Sequence, residues 1–278
     1  MSSLMRVPCS YQGGKQRVAS QIVDHMLKAA PGPNTRFYDL CCGSGAVSIE
    51  LVNRGVDPSR IWMLDISSWG VFWSAIGSGT FDMDVFDQFL SDLPSDKRDC
   101  KAYMSALAAL PVGDHEVELY PLLQACSFGG KQIWRKGERW ANACFRDYWE
   151  PTETSVRRSP ANPMQPSKTE LRRRVDVLVN GMRGVNCLNM DIMTALNSSI
   201  SNNAVVYVDP PYQNTTTYAF SFDVASFIDR FCEVNQVPLF VSEGVALNDN
   251  ALMLNFGGAN GGISGIRKVK HQEWLSRF

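Results

Sequence analysis

The spacing of apolar positions changes several times along the 278-residue chain, and each change marks an element. Val18, Ile22, Met26 and Ala30 recur at helical spacing with polar residues between them, which predicts an amphipathic helix over 18–30, closed by Pro31-Gly32-Pro33. Residues 36–40 read as a core strand. The turn 43–45 leads into a helix over about 46–54, closed by Gly55, and 61–66 is a second strand, so this stretch is a βαβ unit. Residues 67–79, with Trp69, Phe72 and Trp73, predict a helix packed on the sheet. Residues 81–110 read as acidic helices, in which Phe86, Phe89, Leu90 and Leu93 share one face and Tyr103 and Leu107 another. The period is lost over 126–166, where glycines, prolines, bases and aromatics predict hairpins and loops. Regular patterning returns with a helix over 169–180, a short strand over 185–188, a strand over 205–208, a helix over 224–235 and a strand over 238–242. A glycine-rich loop over 257–265 and edge strands in 266–278 complete the reading.

Strands alternating with helices predict an α/β fold with a mainly parallel sheet, interrupted by an inserted module. The predicted boundaries are 1–79 and 175–278 for the sheet domain and 80–174 for the insert.

Two strand ends carry the chemistry. Val205 to Val208 is an uncharged β-branched and aromatic run, stopped by Asp209-Pro210-Pro211-Tyr212. The prolines remove two donors and stiffen the turn, leaving a carboxylate, free carbonyls and a ring at the carboxyl end of a strand. Open α/β sheets bind ligands there. The other strand is Phe37-Tyr38-Asp39-Leu40, running into Cys41-Cys42-Gly43-Ser44-Gly45. Upstream stands Tyr11-Gln12-Gly13-Gly14-Lys15.

These three segments, in this order, resemble the Dam-type DNA adenine-N6 methyltransferases, with their Tyr-x-Gly-Gly-Lys, Phe-x-Asp-x-x-x-Gly-x-Gly and Asp-Pro-Pro-Tyr motifs. The resemblance covers roughly the first 70 and the last 95 residues. It implies a Rossmann-like sheet that binds S-adenosylmethionine without a metal. Gly43 and Gly45 let the backbone approach the methionine end, at a helix N-terminus that suits its carboxylate. Asp65, 20 residues beyond Gly45, has the spacing of a ribose contact. By resemblance, Asp191 and Ile192 face the adenine, Asp39 lies under the methionine, and Tyr11 and Lys15 fold back onto the pocket. Asp209 and the carbonyl of Pro210 would orient the amine of a flipped-out adenine, with Pro211 holding the turn and Tyr212 stacking on the base.

Composition excludes some classes. With 45% hydrophobic and 20% charged residues the chain is globular. It shows no apolar run of spanning length and no signal-peptide core. Eight scattered cysteines without a Cys-x-x-Cys pair predict a reduced, intracellular, zinc-free protein, and the resemblance implies a bacterial cytoplasm or a phage-infected host. The net charge of −1 hides an asymmetry: residues 80–119 carry nine acids and three bases, whereas 126–174 carry eleven bases and five acids. The basic half predicts a grip on double-stranded DNA through Lys131, Arg135, Lys136, Arg139 and Arg146, with Trp134, Trp140 and Tyr148 for stacking. The insert departs from the family. Ser127-Phe128-Gly129-Gly130-Lys131 and a Trp-rich run stand where an Arg-Tyr-Asn-type motif is usual, so no target sequence transfers. A monomer fits the pattern, and an orphan, restriction-associated or phage-borne enzyme fits the resemblance. Cytosine-N4 or RNA adenine methylation, and a non-catalytic nucleic-acid binder on the same fold, stay open as alternatives.

Overall fold

The computed structural model describes residues 4–195, 200–212, 222–254 and 272–278. The order of elements is α1 (Ala19–Lys28), β1 (Arg36–Leu40), α2 (Ala46–Asn53), β2 (Ile61–Leu64), α3 (Ser68–Ser78), α4 (Met83–Ser91), α5 (Cys100–Ala108) and α6 (Glu116–Cys126). Then follow β3 (Trp134–Lys136), β4 (Arg139–Ala141), α7 (Lys168–Gly181), β5 (Asn186–Leu188), α8 (Ile192–Ala195), β6 (Ala204–Val208), α9 (Val224–Val234), β7 (Leu239–Glu243), β8 (Leu252–Met253) and β9 (Trp274–Arg277). Most follow the apolar period read from the sequence. The glycine-rich 257–265 lies outside the described residues.

Seven strands form one mixed sheet in the order β5-β2-β1-β6-β7-β9-β8. The first five run parallel, and β9 pairs antiparallel with β7 and β8. The pleat sends alternate side chains to two cores. Phe37, Ile61, Met63, Val205 and Tyr207 face α1, α2 and α3, whereas Leu40, Leu64, Val206, Val208 and Val241 face α9. This is the doubly covered α/β architecture that the alternating strands and helices predict. The chain leaves β1 toward β2 and later returns to place β6 on the other side of β1. The connections after β1 and β6 therefore diverge and open a crevice at their carboxyl ends.

The insert packs into the first core: Phe81, Phe86, Leu119, Tyr120, Trp140 and Phe145 fall in one buried cluster with Trp69 and Phe72. Its centre is α6, an element the sequence pattern does not announce. Every residue from Glu118 to Cys126 is buried, so there is no polar face to mark a period, and Pro121 within it reads as a breaker. Among the described residues no helix is long and apolar enough to cross a membrane.

Gly45 caps α2 in the left-handed region at φ 74°, and a Cβ there would overlap the Trp73 indole. The Trp73 Nε1–H donates to the carbonyl of Gly43 at 2.9 Å, so the glycine turn and α3 are built as one piece. Gly45→Ala is expected to destabilise the protein by at least about 2 kcal/mol, from overpacking and the left-handed backbone together. Urea denaturation of the variant beside wild type measures this.

Candidate active site

The crevice between the ends of β1 and β6 is lined by the segments that carry the sequence motifs. Tyr11, Lys15, Asp39, Gly43, Asp65, Asp191, Ile192, Asp209, Pro210 and Pro211 all border it. Gly45 stands behind its wall, against Trp73, and Tyr212 lies beside the crevice next to Lys15.

Asp209 follows β6 directly, its N–H donating to the carbonyl of Leu40 at the end of β1. Lys15, only 6% exposed, places Nζ 2.6 Å from Asp209 Oδ1 and donates to the carbonyl of Gly13 at 3.0 Å. The N-terminal motif and the Asp-Pro-Pro-Tyr turn thus meet as a buried ion pair. Burial raises the Asp209 carboxyl to about 7, Lys15 opposes this, and the neighbouring Glu273 adds to it. The Lys15 ammonium also lies 4.8 Å from the centre of the Tyr212 ring, a cation–π contact, and the Tyr212 hydroxyl donates to Glu273. A base stacking on Tyr212 would share that ring with the ammonium.

The glycine turn is held from below and from the side. Asp39 Oδ2 accepts from the Ser48 N–H at 3.2 Å and from its hydroxyl at 2.7 Å, anchoring α2. Burial still raises Asp39 to about 6. Gly43 leaves no room for a side chain, because a Cβ would stand 3.0 Å from the Tyr11 ring. Tyr11 in turn packs edge-on against Trp69 at 5.6 Å.

Asp65 borders the crevice and is tied into its scaffold. Oδ2 accepts from the Gly43 N–H at 2.8 Å, and Oδ1 accepts from the Ser67 N–H at 2.8 Å and its hydroxyl at 2.5 Å. Three of about four acceptor directions are filled by these bonds, on a residue that lines the crevice. Burial raises its pKa. A role for Asp65 confined to a ligand does not hold, since Asp65→Ala would also orphan the Gly43 N–H and unsettle the Ser67 cap of α3. Asn189, which no motif in the sequence marks, donates to the carbonyls of Asp65 and Ser67 at 2.8 Å each and ties the end of β5 to that of β2. Asp191 is exposed and accepts from the Met193 N–H at 2.8 Å, while Ile192 is buried beside it.

The model of the D12 class N6 adenine-specific DNA methyltransferases matches residues 11–83. That span holds Tyr11, Lys15, Asp39, the glycine turn and Asp65, and it supports a methyltransferase. The Asp-Pro-Pro-Tyr turn and the insert lie beyond it. Among solved structures, the rRNA methyltransferase AviRa from Streptomyces viridochromogenes is 13% identical, over 94% of this chain and 84% of that one, with a TM-score of 0.39. No curated protein matches the sequence.

The residues expected to grip DNA divide in two. Arg135 donates to Glu116 and to the carbonyl of Glu138, and lies 4.6 Å from the centre of the Trp140 ring. Trp140 is buried and stacks on Tyr120 at 5.9 Å, so it is core and not a stacking platform. Arg146 is half-buried, and desolvation lowers its pKa. Tyr148 donates to Glu150 and faces Lys97 and Arg98. Lys136 and Arg139, paired across the β3–β4 hairpin, are exposed, and Lys131 is half-exposed. Charge pairing between the acidic and basic segments, through Arg135–Glu116, Arg172–Asp87 and Lys101–Asp147, absorbs part of the asymmetry seen in the sequence.

Asp209 has a folded pKa of about 7 against an ordinary 3.8, so between these values the folded chain holds a proton that the unfolded chain releases. Its contribution to stability is full below the lower value and lost as pH rises through the upper one. Asp39 acts with the same sign up to about 6. Denaturation at a series of pH values should show wild type losing stability from mildly acid to neutral pH, and Asp209→Asn losing less.

Proposed function

We propose that the chain is an S-adenosylmethionine-dependent DNA methyltransferase that acts on N6 of an adenine turned out of the duplex. The observation that carries this reading is the buried Lys15–Asp209 pair, which brings the Tyr11–Lys15 segment and the proline turn together at the mouth of the crevice. The family match over residues 11–83 supports the target chemistry.

The lining fits the methyl donor by the nature of its groups. Asp65 keeps one acceptor direction for a ribose hydroxyl, Ile192 and Leu64 offer an apolar wall to an adenine ring, and the turn at Gly43 opens α2, whose N-terminal end favours a carboxylate. When bound, S-adenosylmethionine supplies an electrophilic methyl group. The protein's task is to present the amine. An exocyclic adenine amine shares its lone pair with the ring and is a poor nucleophile. Hydrogen bonds from that amine to the Asp209 carboxylate and the Pro210 carbonyl would turn the lone pair out of conjugation and hold its direction. Lys15 opposes the burial that favours the neutral acid, and so favours the accepting carboxylate form of Asp209. The two prolines fix the path of the carbonyl and the carboxylate, so little reorganisation is needed when the base arrives. Tyr212, its hydroxyl held by Glu273, would stack on the base. Lys136 and Arg139 at the hairpin tip, with Lys131 behind them, would meet the phosphates of double-stranded DNA.

Calorimetry with S-adenosylmethionine, combined with sequencing of methylated bases in exposed DNA and RNA, tests the reading. Wild type should bind the donor and mark adenine in DNA. Asp209→Ala should bind it and mark nothing. N4-methylcytosine, marks confined to RNA, or no donor binding at all would sink the proposal in favour of its rivals.

Removing the exposed charges tests the DNA face separately. Replacing Lys136 and Arg139 together with Gln should reduce the slope of log affinity against log salt by up to about two, near 0.9 for each phosphate no longer neutralised. Donor binding should survive. An unchanged slope would take the hairpin out of the DNA interface.

A further inference from the structure

We propose that Glu273, immediately before β9, is a positioning residue of the methyl-acceptor site: it takes over the Lys15 ammonium when a base amine engages Asp209. The proposal rests on the methyltransferase reading. Glu273 belongs to none of the motifs in the sequence and lies outside the family match.

The geometry is that of one cation between two carboxylates. Lys15 Nζ is 2.6 Å from Asp209 and 3.7 Å from Glu273, and the side chains of the two acids are 18% and 13% exposed. In this confined space, one ammonium balances one of the two negative charges. An incoming amine competes with Lys15 for the Asp209 oxygens. Lysine is a flexible chain with three donors, and a small swing carries its head from one carboxylate to the other without leaving it unpaired. Glu273 is fixed to receive it. The Tyr212 hydroxyl donates to its Oε1, and its own carbonyl accepts from the Leu254 N–H at 2.8 Å. Moving Lys15 off Asp209 separates a buried ion pair, which is costly, and a second carboxylate within reach offsets that cost.

Among the described residues, the charged and titratable groups around Asp209 are Lys15 from the N-terminal segment, Asp39 from β1, Cys41 just after it, Tyr207 from β6, Tyr212 from the turn and Glu273 beside β9. Glu243 ends β7, opposite Trp274 in the register with β9. Glu273 touches both Lys15 and Tyr212.

Glu273→Gln removes the charge and keeps an acceptor for Tyr212. Two measurements on the full chain test it. The first is the titration of Asp209 by carbon-detected NMR, which needs no activity. Loss of a like charge should move it to lower pH by about one unit, a tenfold change in the proton equilibrium. The second is methyl transfer to adenine-bearing duplex. The acid limb of kcat/KM should move the same way, KM for DNA should rise because Lys15 loses the second carboxylate, and donor affinity should not change. Tyr212→Phe retains the Glu273 charge and should leave the acid limb in place. An Asp209 titration that is the same in wild type and Glu273→Gln overturns the proposal, as does an acid limb that moves equally in Tyr212→Phe. If the titration moves but wild type methylates nothing, the charge relay stands and the methyltransferase reading is what fails.

Discussion

The site depends on one topological constraint. β1 and β6 are hydrogen-bonded neighbours, yet the chain leaves them in opposite directions. No connection can cover both ends, so a crevice remains there whatever side chains fill it. The sequence then furnishes that crevice from both sides, with Gly43 and Asp39 at β1 and the proline turn at β6. Lys15 closes the arrangement. Its ion pair with Asp209 joins the N-terminal segment to the turn after β6, and it is buried enough that losing Lys15 would take from the Asp209 carboxyl the cation that opposes its desolvation.

Burial around the crevice explains why its carboxylates behave unlike surface acids. Asp39, Asp65 and Asp209 are all pushed up by desolvation, and each is offset by different means. Ser48 serves Asp39, and Ser67 with the Gly43 N–H serves Asp65. Only Asp209 among the three is offset chiefly by a cation, Lys15, and not by serine hydroxyls or backbone N–H groups. That division follows from hydrogen-bond partners and not from residue type.

Much of this was legible in the sequence. The period of Val18, Ile22 and Met26 gave α1 its place, and the uncharged run of Val205 to Val208 gave a strand buried on both faces. The glycine turn and the proline turn stand out because few residues other than Gly and Pro suit those backbones. Three features were hidden. Helix α6 is buried all round from Glu118 onward and contains Pro121, so neither a period nor a propensity marks it. Charge counts along the chain misled about Arg135, because the acid it meets, Glu116, lies on the far side of a composition boundary. Glu273 reaches the site only through the antiparallel pairing of β9 with β7, and nothing local in Gln272-Glu273-Trp274 announces that return.

The insert is bound to the site by backbone as well as by packing. Gln124, fully buried on α6, donates to the carbonyl of Lys131 at 2.9 Å and accepts from the Ile133 N–H at 3.0 Å. It thereby shapes the turn at Gly129-Gly130. The carbonyl of Gly130 accepts from the Gln12 N–H at 2.7 Å, inside the segment that carries Tyr11 and Lys15. The same strip continues into the hairpin, where the Arg135 N–H donates to Ser68 Oγ at 3.1 Å, one residue beyond the Asp65–Ser67 pair. The hairpin and the turn before it are thus hydrogen-bonded to both flanks of the crevice, on the Lys15 side and on the Asp65 side. An insert with its own core, joined by a linker, would share neither these bonds nor the buried cluster that holds Trp140 with Trp69 and Phe72.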